Sequence, residues 1–217
     1  MDQTLSQRYR GHLSLCEIDL AGQRRLMDSR VLIVGAGGLG SPVALYLAAA
    51  GVGHITVIDP DTVSLSNLQR QIIHSTADLG TLKAESARAS MLAINPTIEV
   101  TALAEPLTPA NAPALTGAHD LVMDCTDSLS TRLLVSDSCV AAGKPYVFGA
   151  VRRFEGQLFT HQPGTAHYRT IFGDTPATEE ELPCANDGVL NKVVGVICSL
   201  QATEEIKCLV GTVDQLT

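Results

Sequence analysis

Four glycines, Gly35, Gly37, Gly38 and Gly40, crowd into six positions directly behind the apolar run RVLIV. Glycine lets a chain reverse sharply and bring its backbone against a phosphate. The helix that follows aims its N–H groups and positive end at the anion. Set between a strand and a helix, the Gly-x-Gly-x-x-Gly spacing points to a nucleotide without choosing between a dinucleotide and a nucleoside triphosphate. A tight turn that binds nothing is the plainer alternative. Asp59 closes the second strand, HITVID, where an acid accepts hydrogen bonds from ribose hydroxyls. Both ligands carry a ribose, and an ordinary strand-end acid is the alternative here.

Three further residues bear on the choice. Arg70 stands in SNLQRQ (Ser66 to Gln71), Lys83 opens the next helix, and Asp127 ends the strand DLVMDCTD. A dehydrogenase needs no cation aimed at a triphosphate. Two cations and a carboxylate at element ends on one sheet edge suit a triphosphate with its magnesium. Each also has a bland explanation: a surface arginine, a solvated lysine at a helix start, an acid capping the helix from Ser128.

The elements that must position these groups follow from periodicity. Residues 1–30 form a polar lead-in, helical around EIDLAGQRRLMDS, and RVLIV reads as a buried parallel strand. SPVALYLAAAGV is a helix with Ser41 placed to cap it and Pro42 in its first turn. HITVID completes a strand–helix–strand unit, and PDTVSLSNLQRQIIHS is a loop with a short helical stretch. LKAESARASMLAIN is a helix stopped at Asn95-Pro96. IEVTALA (strand), PANAPALTG (short helix), DLVMDCTD (buried strand) and SLSTRLLVSDSCVAAG (helix) follow. PYVFGAV and GQLFTH are strands so close in sequence that the sheet turns antiparallel or mixed there. Residues 163–188 have no period and read as a long crossover loop; VLNKVVGVICSLQATEEIKCLV closes as an apolar helix. The alternation predicts an α/β fold, mainly parallel and flanked by helices, in one domain over residues 1–217.

Composition excludes several classes. The chain is 45% hydrophobic and 18% charged, ordinary for a globular protein, and lacks the roughly 20-residue apolar run of a membrane span. Its N-terminus lacks the basic-then-apolar layout of a secretory signal, so a cytoplasmic location is expected. A net charge of −8, with no Lys/Arg run longer than the pair in VRRF, argues against a nucleic-acid partner. Six cysteines without a Cys-x-x-Cys read as reduced thiols, mostly core filler.

Five stretches, VLIVGAGGLGSPVALYLAAAGVG, IDPDTVSLSNLQRQIIHS, DLVMDCTDS, GAVRRFEGQL and GVICSLQATEEIKCL, resemble the ThiF/MoeB family of adenylyltransferases. The match runs from about Arg8 to Gly211 in the family's order. It implies a Rossmann-like fold, a homodimer, and ATP with Mg²⁺. It also implies a partner: a small ubiquitin-fold sulfur-carrier protein whose C-terminal Gly-Gly carboxylate is adenylylated in molybdopterin or thiamine biosynthesis. Carried onto matching positions, Gly38 and its neighbours line the phosphates and Asp59 holds the ribose. Ser66, Asn67, Leu68, Gln69 and Arg70 contact the nucleotide, Lys83 steadies the transferring phosphate, and Asp127 binds Mg²⁺. Asp61 is a lesser candidate. An adenylating enzyme for another carrier or a peptide, an NAD-dependent oxidoreductase, and a non-catalytic ATP-binding module are the competing readings.

Several positions depart from the family's pattern. His167 and Thr170 stand where the family carries the first pair of zinc-binding cysteines, so no zinc is expected. Gly11 takes the place of an arginine that reaches the neighbouring subunit's ATP, leaving Arg8 or Arg10 as substitutes; in an extended segment one residue of shift reverses a side chain. Ser128 replaces an asparagine after Asp127. Cys184, in LPCANDG, is a candidate sulfur-transfer residue, although the acidic run EEEL just upstream opposes a reactive thiolate. No rhodanese-like segment follows, so a separate sulfur donor is implied.

Overall fold

The structure, a computed structural model, describes residues 3–173 and 188–212. The polar lead-in forms three short helices, α1 (Gln3–Arg8), α2 (Arg10–Leu13) and α3 (Asp19–Asp28). Strand β1 (Arg30–Val34) runs through the glycine turn into α4 (Gly40–Ala50), and β2 (His54–Ile58) returns beside it. Two single-turn 3-10 helices, Leu65–Asn67 and Thr76–Asp78, lead to α5 (Lys83–Ile94) and β3 (Glu99–Leu103). The remaining elements are α6 (Ala112–Gly117), β4 (Leu121–Asp124), α7 (Leu129–Ala142), β5 (Tyr146–Arg152), β6 (Glu155–His161), α8 (Tyr168–Phe172) and α9 (Asn191–Val210).

The six strands form one sheet in the order β3-β2-β1-β4-β5-β6. All pairings are parallel except β5 with β6, an antiparallel hairpin. The expected mainly parallel sheet with an antiparallel turn in its later half is thus observed. Strand alternation supplies both faces. Val31, Ile33, Ile55 and Val57 pack under α4, α5 and α9 through Leu47, Met91 and Val194. Leu32, Val34, Ile58, Tyr146 and Phe148 pack on the other face with Val135 and Cys139 of α7 and Tyr168 of α8. Chain order reverses across β1 and β4, and in open parallel sheets the crevice beyond the strand ends at such a point receives the ligand.

Two local expectations are corrected. Ser41 does not cap α4: the helix begins one residue earlier, at Gly40, and the Ser41 hydroxyl is buried inside it without a hydrogen-bond partner. Strand β4 stops at Asp124, short of Asp127, because Asp124 Oδ1 accepts the Thr126 N–H (3.1 Å) and Thr126 Oγ1–H (2.8 Å). A side chain that captures the next backbone donor competes with the sheet ladder. Within the expected crossover loop, Tyr168–Phe172 is helical. Among the described residues the cysteines are all free, with Cys125, Cys139 and Cys198 buried. No described helix is long and apolar enough to cross a membrane.

Helix α9 carries an unusual burden. Glu205 is fully buried and, among the described residues, neither carboxylate oxygen has a hydrogen-bond partner. Burial alone pushes its carboxyl well above the ordinary value of 4.5. The folded protein therefore holds a proton that the unfolded chain releases above that value, so this group's contribution to stability falls as pH rises from there towards the folded pKa. Replacing it by methionine, of similar volume, removes the penalty. Glu205→Met is expected to stabilise by about 1–4 kcal/mol at pH 8, with a gain that shrinks towards pH 5 in thermal melts. Equal or lower stability of the variant at pH 8 would count against this account.

Candidate active site

The glycine turn is built by close packing. Gly35 has φ +97°, and a Cβ there would lie 2.8 Å from the Cys125 carbonyl oxygen; a Cβ on Gly40 would lie 1.9 Å from the Gly35 carbonyl oxygen. These two glycines make the turn, since L side chains at either position collide with backbone. Gly40 therefore acts through packing and does not line the cavity. Gly37 and Gly38 differ. Both line it, and a Cβ on either would meet only the side chains of Gln71, or of Arg70 and Val194, at 3.5–3.6 Å. Their bare backbone is open for a ligand to approach.

The cavity, about 320 Å³, lies at the reversal of chain order and receives residues from widely separated elements. Asp59, just past β2, is buried; its Oδ2 accepts the Ala36 N–H (2.7 Å) and its Oδ1 the Asp61 N–H (2.9 Å). The acid thereby braces the glycine turn, and each oxygen retains lone-pair capacity for a further donor. Asp61 pairs with the lysine: its Oδ2 lies 2.7 Å from Lys83 Nζ, with the lysine side chain only 8% exposed and the aspartate 65%. A lysine this enclosed is held by its partner in the cavity wall, so the solvated helix-start explanation fails. Arg70 reaches the cavity with its alkyl chain over Gly38 and Nη1 3.4 Å from the Ser66 carbonyl oxygen.

Asp59, Asp61, Arg70, Lys83, Asp127 and Ser128 are thus brought together with Gly35, Gly37 and Gly38. Ser66, Asn67, Leu68 and Gln69 are not part of the lining. The Ser64 hydroxyl donates to Asn67 Oδ1 (2.7 Å) and lies 3.2 Å from the Ser66 hydroxyl, while the Asn67 carbonyl accepts the N–H groups of Arg70 and Gln71. Local hydrogen bonds commit this segment to a 3-10 turn that delivers Arg70 and Gln71 to the site.

The structure adds a cation that the sequence reading did not single out. Arg132 on α7 lines the cavity beside Asp127, with its guanidinium 4.8 Å above the Phe148 ring and 5.8 Å from that of Tyr168. Its Nη2 donates to the Thr126 carbonyl (3.1 Å), and its Nε stands 4.0 Å from Oδ2 of the wholly buried Asp124. Burial raises the Asp124 carboxyl, and the Arg132 charge acts against that rise. The available signal was an acid at the end of an apolar strand with an arginine one turn into the next helix. Asp127 itself is exposed. Ile58, Pro106 and Leu107 give the lining an apolar side near Asp59.

The departures from the family's pattern also have places. The RYRGH segment is helical rather than extended, so the shift between Arg10 and Gly11 rotates a side chain by about 100° instead of reversing it. Arg8 Nη1 donates to the Ile94 carbonyl at the end of α5 (3.0 Å). His167 and Thr170 shape the start of α8, where the His167 N–H donates to Thr170 Oγ1 (2.7 Å). Cys184 lies outside the described residues.

Comparison with known proteins agrees with this geometry. A profile described as the ThiF family matches residues 9–217. The probable adenylyltransferase/sulfurtransferase MoeZ of Mycobacterium tuberculosis is 46% identical over 209 residues, covering 94% of this chain and 53% of MoeZ. The molybdopterin-synthase adenylyltransferase of Escherichia coli is 49% identical over 209 residues, covering 94% of this chain and 82% of that protein. The chain therefore spans about half the length of MoeZ and most of the E. coli protein. Among solved structures, E. coli MccB with ATP superposes with a TM-score of 0.76 at 25% identity, covering 88% of this chain and 59% of that one. With its glycine turn, converging cations and match over nearly its whole length, the chain belongs to the ThiF family.

Proposed function

We propose that this chain is an adenylyltransferase that uses ATP to activate the C-terminal Gly-Gly carboxylate of a small ubiquitin-fold sulfur-carrier protein, in molybdopterin or thiamine biosynthesis. The observation that carries this reading is the convergence of Arg70, Lys83 and Arg132 on one glycine-turn cavity that also holds Asp59 and Asp127. Such a cavity has the charge to hold a triphosphate, which a nicotinamide site does not require. The activities for which the E. coli and M. tuberculosis relatives are named support the same chemistry.

The carrier's terminal carboxylate is ionised at neutral pH and needs no general base. One of its oxygens attacks the α-phosphorus of ATP, and the bond from that phosphorus to the bridging oxygen breaks. The electron pair departs with pyrophosphate, leaving an acyl-adenylate. The protein's work is alignment and charge stabilisation. In this reading Asp59 orients the ribose, the open backbone at Gly37 and Gly38 borders the phosphates, and Arg70, Lys83 and Arg132 offset the charge that builds on them. Asp61 keeps the lysine ammonium aimed. A triphosphate's magnesium requires only one or two protein carboxylates, and the exposed Asp127 in the lining fits that need. Bound Mg²⁺ would neutralise phosphate charge. By family resemblance the working unit is a homodimer.

The test is ATP–pyrophosphate exchange with the purified chain and candidate carriers. Exchange is expected to require both Mg²⁺ and a carrier ending in Gly-Gly, and to vanish with a carrier lacking its last glycine. Exchange that ignores the carrier, or binding of NAD in place of ATP, would overturn the proposal.

A further inference from the structure

His74 sits outside the cavity lining, behind the glycine turn, and is buried. Its Nε2 is 3.1 Å from the Ala36 carbonyl oxygen and its Nδ1 2.8 Å from Ser86 Oγ. A carbonyl only accepts, so Nε2 carries the proton, and Nδ1 then accepts the Ser86 hydroxyl proton. Burial is the largest influence and favours the neutral ring; the Ala36 carbonyl opposes it, the Lys83 charge adds to it, and Asp78 and Asp59 act against it, with the net shift downward.

The partner of that ring matters. Ala36 lies between Gly35 and Gly37, and both of its backbone polar groups are held: the N–H by Asp59 Oδ2 (2.7 Å) and the C=O by His74. A trans peptide unit is planar, so the Ala36 C=O and the Gly37 N–H point in opposite directions. Pulling the carbonyl towards His74 turns the Gly37 N–H away from it. Gly37 lines the cavity, whereas His74 does not, and among the described residues the Gly37 N–H donates to no protein group. Ser86 lies one turn along α5 from Lys83, whose ammonium holds Asp61 Oδ2, and the Asp61 N–H returns to Asp59. Hydrogen bonds link Ser86, His74, Ala36, Asp59, Asp61 and Lys83 in turn, and one turn of α5 joins Lys83 back to Ser86. A second side chain, Ser90, ties the same segment to α5 by donating to the Ile73 carbonyl (2.7 Å).

We infer that His74 is a positioning residue that aims the Gly37 N–H into the cavity as a donor to a nucleotide phosphate and locks it in register with Lys83 through Ser86. The inference rests on the proposed ATP site and deepens it. A hydrogen bond to a charged group is lost when the ring is replaced, so His74→Phe is expected to weaken ATP binding by about 10–100-fold. Adenosine, which has no phosphate, binds the variant as it binds the wild type. His74→Gln keeps a donor near the Nε2 position and recovers most of the ATP affinity. Ser86→Ala, which removes only the brace on Nδ1, gives a smaller loss confined to ATP.

Calorimetric titration of the full chain with ATP and with adenosine reads all four proteins. Three results overturn the assignment: unchanged ATP affinity in His74→Phe, equal losses for ATP and adenosine, or failure of His74→Gln to recover ATP binding. Should His74→Phe not fold, wild-type ATP affinity in Ser86→Ala overturns it instead. A wild-type protein that binds no ATP would sink the proposed function itself. Wild-type binding alongside unaffected variants would sink the His74 role alone.

Discussion

Replacing Asp127 by alanine is expected to lower carrier-dependent ATP–pyrophosphate exchange by at least about 100-fold, the scale on which removing one preorganised charge-stabilising group acts. The melting temperature should hardly move. Asp127 is exposed and its carboxylate has no partner among the described residues, and surface changes away from such contacts stay within about 0.5 kcal/mol. That separation is the point of the experiment: the proposed role assigns the residue to the ligand and not to the fold. The loss should be accompanied by a higher Mg²⁺ requirement, because on the proposed role the variant withdraws a carboxylate from the ion's coordination. Exchange within a fewfold of wild type, at unchanged Mg²⁺ demand, would show that the acid at this place holds nothing the reaction needs.

Arg132→Ala should behave in the opposite way and cost stability first. It strips the nearest cation from Asp124, which is wholly buried and whose Oδ2 has no hydrogen-bond partner. Removing one member of a buried ion pair typically costs about 3–5 kcal/mol, and here the guanidinium's packing over Phe148 and Tyr168 is lost as well. For a chain of this size that is a fall of roughly 6–20 °C in melting temperature. A second substitution, Asp124→Asn, in the Arg132→Ala background removes the stranded charge and should restore part of the loss. A cycle of the two variants in urea isolates the coupling. If Arg132→Ala alone costs under about 1 kcal/mol, the pair behaves as a surface contact and the arginine is not a structural member of the cavity wall. Because Arg132 also faces the cavity, weaker ATP binding is expected to accompany the destabilisation.

These two residues mark the boundary of what the chain reveals in one dimension. That Asp127 lines the cavity was legible because it lies three residues past an apolar strand, and the ends of parallel strands border the crevice of an open sheet. Asp59 could be singled out for the same reason, and Gly35 and Gly40 because a positive φ at the first and contact with backbone at both leave no other residue type. Arg132 was not legible. A helical arginine becomes notable only when the fold sets it against Asp124, Phe148 and Tyr168, contributed by β4, β5 and α8. His74 was hidden likewise, since its meaning depends on Ala36 and Ser86, which meet it only after α5 packs beside α4. Over Ser66–Gln69 the fold adds what the chain does not display: serine and asparagine side chains bond one another in a 3-10 turn, and of this stretch and its neighbours Arg70 and Gln71 line the cavity.

Sequence alone determined the element types, the mainly parallel sheet with its late antiparallel hairpin, the glycine turn, and the placing of Asp59, Arg70, Lys83 and Asp127 at element ends beside it. Those properties are set by local sterics and by the periods of two and 3.6 residues, which act within a few positions of the chain. Only the tertiary structure decided that Asp61 holds Lys83, that Arg132 joins the cavity, and that Glu205 and Asp124 lie buried with unsatisfied oxygens. Such pairings depend on strand order and helix docking, which bring together residues far apart in sequence and strip them of water, and no local pattern records that outcome.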